Sequence, residues 1–141
     1  KYARKLSGPI MDRIDMWVPV LHIDYDTLSH SRIGEESRDV RARVAKAKQF
    51  AQQRFLESGD GHITKNKDMR AKDVDKHVKL SPQTLTLMKK LSTSYTLSPR
   101  AYHRVLRLAR TIADLRQGTQ VNEADILEAF QYRPKLYQDR I

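Results

Sequence analysis

Residues 97–118 read Leu97-Ser98-Pro99-Arg100-Ala101-Tyr102-His103-Arg104-Val105-Leu106-Arg107-Leu108-Ala109-Arg110-Thr111-Ile112-Ala113-Asp114-Leu115-Arg116-Gln117-Gly118. Ser98 is an N-cap residue, and Pro99 takes the first helical position, where its missing N–H costs nothing. Tyr102, Val105, Leu106, Ala109, Ile112 and Ala113 fall at the spacing of one helix face, so the segment is an amphipathic helix with an apolar stripe. Gly118 is expected to close it. Arg100, Arg104 and Arg107 form a basic stripe, with His103 and Arg110 alongside. Arg110 lies one turn before Asp114 and can pair with it.

Working outward, the same start recurs. Ser81-Pro82 opens a helix whose apolar face is Leu85, Leu87, Met88 and Leu91. Asn122 with Asp125 three residues on is a capping-box start for a last helix that buries Ile126, Leu127, Ala129 and Phe130. Upstream, a long helix is expected from about Glu35 to Glu57, with Val40, Val44, Ala47, Ala51 and Phe55 as its stripe and Arg38, Arg41, Lys48 and Arg54 outside. Ser58-Gly59-Asp60-Gly61 ends it. Residues 62–79 are charged and poorly periodic, a loop with a short helix near Ala71 to His77.

The first twenty residues differ. After the turn signal Ser7-Gly8-Pro9, Ile14, Met16, Val18 and Val20 alternate with Asp15, Trp17 and Pro19, the period of a strand with a proline at its end or on a sheet edge. One strand cannot bury itself, so its partners are expected in a preceding N-terminal part. The opening Lys1-Tyr2-Ala3-Arg4-Lys5 likewise reads as the interior of a longer protein. The expected fold class is mainly α: a bundle of helices preceded by one leftover β-strand. The divisions expected are 1–21 for the strand segment, 22–34 for a polar linker, 35–133 for the helical domain and 134–141 for a tail. No internal repeat or low-complexity stretch is present.

The 141 residues suffice for one modest core. Charged residues make up 31% and hydrophobic ones 39%, with a net charge of +10. That balance favours polyanions: nucleic acid, nucleotide phosphates or an acidic partner surface. A merely basic soluble domain is an equal alternative on charge alone. Without cysteine, disulfides and thiolate metal sites are excluded. No apolar run approaches a membrane span, and a cytoplasmic location is expected.

Several chemistries lack their residues. The sequence has no Gly-x-x-x-x-Gly-Lys-Ser/Thr phosphate loop, no Gly-x-Ser-x-Gly elbow and no His-Glu-x-x-His helix. His22, His30, His62, His77 and His103 do not sit in zinc-ligand spacing, and are read as solvated surface histidines. No metal ligand is expected. Asp12 and Asp15 would face opposite sides of a strand and are not read as an acid–base pair. Arg13 lies between these two acids, and on chemistry alone a salt-bridged arginine at a strand edge is favoured. Arg100 stands in the first turn of its helix, where a cation opposes the helix dipole at a cost of a few tenths of a kcal/mol. An anion joining it would offset that cost, because a helix N-terminus with an arginine suits a phosphate. For Arg104 and Arg107 a solvated charged face is the favoured reading.

Two segments also carry a family resemblance. Ser7-Gly8-Pro9-Ile10-Met11-Asp12-Arg13-Ile14-Asp15 resembles the S-G-P-L-L-D-R-I-D signature of magnesium-chelatase-like AAA+ proteins of the ComM and YifB type. Residues 97–115 resemble the L-S-x-R-x-x-x-R-x-L-R-x-A-R-T-I-A-D-L helix of the same family. Val44 with Gln53-Arg54-Phe55 is similar to its R-V-x-x-A-R-x-x-Q-x-x-R-F helix, Asn66-Lys67 to an N-A pair, and Gln131-Tyr132-Arg133 to its closing Q-Y-R.

The resemblance implies a helical AAA+ lid preceded by the last strand of an α/β core, within a ring of identical subunits, commonly a hexamer. It implies that Arg13 is an arginine finger reaching in trans into a neighbour's ATP site, and that Arg100 is the sensor-2 arginine on the γ-phosphate. ATP and Mg2+ would be cofactors of the full-length protein, with no stable site in this chain, which alone is expected not to hydrolyse ATP. The family's link to competence and branch migration implies DNA as a partner, with Arg104, Arg107, Arg41 and Lys48 as candidate contacts. Two other readings stay open: a non-catalytic basic module that binds DNA or protein, and a chelatase-type motor subunit for metal insertion.

Overall fold

The computed structural model describes residues 8–20 and 34–133. Helix α1 is one turn, Gly8–Met11. α2 spans Ser37–Glu57, a 3-10 turn Asn66–Asp68, α3 Ala71–His77, α4 Pro82–Ser94, α5 Pro99–Leu115 and α6 Glu123–Gln131. Each start expected from the sequence forms. The Ser98 hydroxyl accepts from the Ala101 amide at 3.2 Å, and the Ser81 hydroxyl from the Thr84 amide at 3.1 Å. Asn122 and Asp125 exchange two such bonds, at 3.0 and 2.8 Å. Each satisfies amides that a helix start leaves without partners.

Three helix ends, those of α2, α4 and α5, follow one pattern. Asp60 N–H reaches Phe55 O at 2.8 Å, Leu97 N–H reaches Ser92 O at 3.0 Å, and Gly118 N–H reaches Ala113 O at 2.8 Å. The closing residue is left-handed in each: Gly59 at φ 75°, Thr96 at 47° and Gln117 at 58°. Gly118 thus closes α5 with its amide, while Gln117 takes the left-handed conformation.

α5 is the hub. It packs on α2, the 3-10 turn, α3 and α6, and α4 packs on α6. Three alanines of α5, Ala101, Ala109 and Ala113, are wholly buried and let neighbouring helices approach closely. Around them gather Phe55, Met69, Val74, Met88, Val105, Ile126 and Phe130. Tyr95 lies 5.0 Å from Phe130, ring to ring.

Three expectations meet the described residues. The strand at Ile14–Val20, expected to fray without its sheet, is not formed: among the described residues there is no strand, and 14–20 run as irregular chain. A strand needs a neighbour to take its amides and carbonyls. Among the described residues none is at hand, and Met16, Val18 and Val20 are exposed. Second, the stripe of α2 is only half buried. Ala47, Ala51 and Phe55 enter the core, but residues 37–46 are all exposed, Val40 and Val44 among them. The first half of α2 stands clear of the bundle. Third, Leu85 and Leu127 lie on outer faces. The linker, apart from Gly34, and the 134–141 tail lie outside the described residues.

Candidate functional site

The site begins at the turn after α1. Arg13 N–H bonds Ile10 O at 3.0 Å and Ile14 N–H bonds Met11 O at 3.3 Å, so residues 10–14 wind tightly. Met11 anchors the turn, only 5% exposed. Four polar contacts then hold the segment to the helical domain. Arg133 pairs with Asp12 at 3.7 Å and donates to Ile14 O at 3.0 Å. Arg104 pairs with Asp15 in a hydrogen-bonded ion pair. Trp17 N–H donates to Tyr132 O at 2.9 Å.

Arg13 sits between the two acids yet bonds neither. Its side chain is exposed and makes no ion pair among the described residues. The expected arginine salt-bridged to its flanking acids is therefore corrected: Asp12 and Asp15 pair with arginines from across the fold. Gln131-Tyr132-Arg133 ends α6 in a turn closed by the Arg133 N–H on Phe130 O at 3.0 Å, and the Tyr132 carbonyl and the Arg133 guanidinium both meet this segment.

One cleft separates Met11 and Asp12 from Tyr95, Thr96, Leu97 and Ser98, with Arg133 on its wall. Arg13 follows its first edge in sequence and Arg100 follows its second. Arg100 lies exposed in the first turn of α5, also without an ion pair among the described residues. Both guanidiniums are thus available to an anion.

The remaining candidates divide. Arg104 and Arg107 line a second cleft with Asp15, Lys67 and Asp68. Neither is the freely solvated arginine expected. The Nε atoms of both are buried without a hydrogen-bond partner among the described residues. Lys48 lines a third cleft with Lys65 and Lys67, and Thr111 and Lys67 belong to both clefts. Lys48, Lys65, Lys67, Arg107 and Arg104 thus form one basic track from α2 across the 3-10 turn to α5. Arg41 is exposed on α2, two turns before Lys48 and outside the clefts. Lys65 and Lys67 were missed by sequence reasoning, because nothing in a non-periodic loop signals which lysines meet a helix face.

Arg54 was expected outside α2 and lies inside. It donates from Nη2 to Asp114 at 3.0 Å and to Asn66 Oδ1 at 2.8 Å. Its guanidinium carbon sits 4.5 Å from the centre of the Phe55 ring. Asp114, 2% exposed, also accepts from Asn66 Nδ2 at 2.7 Å and from Arg110 Nε at 3.0 Å. Arg110, fully buried, donates further to the carbonyls of Gly118 and Thr119. One carboxylate thus ties α2, the 3-10 turn, α5 and the loop beyond. Burial lowers the Arg54 pKa, and the neighbouring charge of Arg110 adds to this, while Asp114 opposes it.

His77 is a further correction to the surface reading. It is buried, its Nε2 stands 2.8 Å from Asp60 Oδ2, and its ring meets Phe55 edge-on at 4.8 Å. Burial pushes its pKa down, with Arg54 and Lys76 adding to this and Asp60 opposing. His62 is exposed and His103 half-buried; His22 and His30 lie outside the described residues. Among the described residues no group of three His, Cys, Asp or Glu could hold a metal ion, and no helix is long and apolar enough to cross a membrane.

Residues 34–133 match the family model described as magnesium chelatase, subunit ChlI C-terminal. The chain is 33% identical to the competence protein ComM of Haemophilus influenzae over 134 residues, covering 94% of this chain and 25% of that protein. It is 30% identical to YifB of Salmonella typhimurium over 136 residues, with the same coverage of both chains. YifB of Escherichia coli is also 30% identical. The chain therefore spans about a quarter of the length of these relatives.

Proposed function

Because the chain belongs to the magnesium-chelatase-like family of the ComM and YifB type, we propose that it is the lid and arginine-finger segment of a AAA+ ATPase that couples ATP hydrolysis in a ring of identical subunits to DNA remodelling. The observation that carries this reading is a pair of exposed arginines that make no ion pair among the described residues. Arg13 and Arg100 are exposed, while the acids that could have neutralised Arg13 are held by Arg133 and Arg104.

An unpaired guanidinium can give two parallel N–H bonds to phosphate oxygens. Arg13 would do so at the γ-phosphoryl group of a neighbour's ATP, where it stabilises charge that grows in the transition state. Arg100 has the first-turn amides of α5 beside it, and together they fit a phosphate. The chain contains no phosphate-loop motif, so elements beyond it would hold the rest of the nucleotide and its Mg2+.

DNA as the remodelled substrate is supported by the +10 charge and by the basic track from Lys48 to Arg104. The name of the Haemophilus relative, a competence protein, points the same way. The test is Arg13→Ala in the full-length protein. Turnover should fall by roughly a thousandfold or more, as for fingers supplied in trans, with ATP binding kept. Normal turnover in that variant overturns the assignment.

The exposed basic first half of α2, with Arg38, Arg41 and Lys46, favours a second reading, a module that only binds a polyanion. On that reading Arg13→Ala changes no turnover.

A further inference from the structure

The turn that carries Arg13 is closed locally by the Arg13 N–H on Ile10 O at 3.0 Å and the Ile14 N–H on Met11 O at 3.3 Å, but its place on the helical domain is set from elsewhere. Residues 12–17 form no regular element. Their hold on the fold comes from two places far along the chain: Arg104, one turn after Arg100 on α5, and Tyr132-Arg133 at the end of α6. The contacts straddle Arg13. On one side Asp12 meets Arg133 at 3.7 Å, and on the other Asp15 meets Arg104. Ile14 O takes a bond from Arg133 at 3.0 Å, and Tyr132 O takes one from Trp17 N–H at 2.9 Å. The Arg133 side chain is 6% exposed, so its partners define its place within a nearly dry setting.

We propose that Arg104 and Arg133 are positioning residues for Arg13, joining the arginine-finger turn to α5 and α6 as one unit. Arg100 and Arg104 lie four residues apart on α5 and therefore share a face of the helix. A displacement of α5 driven at Arg100 is then carried by the Arg104–Asp15 pair to a point two residues from Arg13. Lid movement and finger placement become a single motion. The inference rests on the reading of Arg13 as the finger.

The two acids explain why Arg13 itself stays open. A lone arginine beside Asp12 and Asp15 would collapse onto one of them. Each acid instead has a cation of its own, so the turn is fixed and the Arg13 guanidinium is left over. A misplacement of an ångström at a catalytic group can cost about a hundredfold in rate, so a weakened clamp should register in turnover before it registers in stability.

The experiment uses the full-length protein with Arg13→Ala, Arg104→Asp, Asp15→Arg and the Asp15→Arg/Arg104→Asp exchange. ATP turnover, the KM for ATP and the melting temperature are measured for each. Asp15 is 61% exposed, so its replacement should leave melting nearly unchanged. We expect each single reversal to lower kcat by about tenfold or more, with KM within about twofold, and the exchange to restore most of kcat. Recovery in the exchange is the signature of a clamp, since a direct role of Arg104 at phosphate would not survive Arg104→Asp. If Arg13→Ala abolishes turnover but the single reversals do not change kcat, or the exchange fails to restore it, the clamp is overturned and the finger stands. If Arg13→Ala itself turns over normally, the finger reading fails, and this inference with it.

Discussion

Arg133 donates from Nη1 to the main-chain carbonyl of Ile14 at 3.0 Å, across 119 residues of sequence. The bond joins the last turn of the helical domain to the segment before its first long helix. It makes residues 8–17 part of the domain's packing even though they form no sheet. Arg133 is the last residue that the family model matches and Ile14 lies ahead of the first, so the bond ties the matched span to the segment before it.

Asp114 should be the most sensitive polar position in the fold. It neutralises Arg110 and Arg54 and accepts from Asn66, all in or near the core. Asp114→Ala leaves two arginines buried without their carboxylate. Breaking one side of a buried pair costs about 3–5 kcal/mol. Denaturant unfolding of the variant should show a loss of that order, and a loss below about 1 kcal/mol would mean that water replaces the carboxylate.

His77 should make stability fall on acidification. Burial holds its pKa below the ordinary value near 6.5, so the native state keeps it neutral where the unfolded chain takes a proton. Above pH 6.5 both states are neutral and the residue adds no pH dependence. As pH falls from 6.5 toward its folded value, the unfolded state binds the extra proton and stability is lost. Asp60 opposes this shift. Thermal melts between pH 7 and pH 5 should slope downward, and His77→Gln should flatten that slope. An equal slope in the variant would assign it to other groups.

The basic track should reveal itself in a salt series. Fluorescent duplex and single-stranded DNA titrated with this chain should bind more weakly as salt rises, because each phosphate contact releases counterions. Lys67→Ala, at the meeting of two clefts, should reduce the duplex slope by about 0.9 and weaken binding to all sequences alike. Binding that is absent at low salt would assign the charge to nucleotide and subunit contacts instead.

Much was legible because it is local. Ser81-Pro82, Ser98-Pro99 and the Asn122/Asp125 pair set helix starts through bonds spanning three residues, and those starts appear where the sequence puts them. The Ala71–His77 helix and the Arg110–Asp114 pair were legible for the same reason. The left-handed ends were readable at Gly59 but not at Thr96 or Gln117, where helix termination by packing overrides the preference of an ordinary residue.

What the sequence by itself determined was the helical class and the helix starts, since periodicity and capping act within a few residues of chain. Only the tertiary structure decided where charges go. It placed Arg54 and His77 inside, left Val40 and Val44 outside, and gave Asp12 and Asp15 to Arg133 and Arg104 rather than to Arg13. Burial and ion pairing depend on which elements meet across long stretches of chain. Neither spacing nor composition carries that information, because an amphipathic stripe is the same whether or not another helix arrives to cover it.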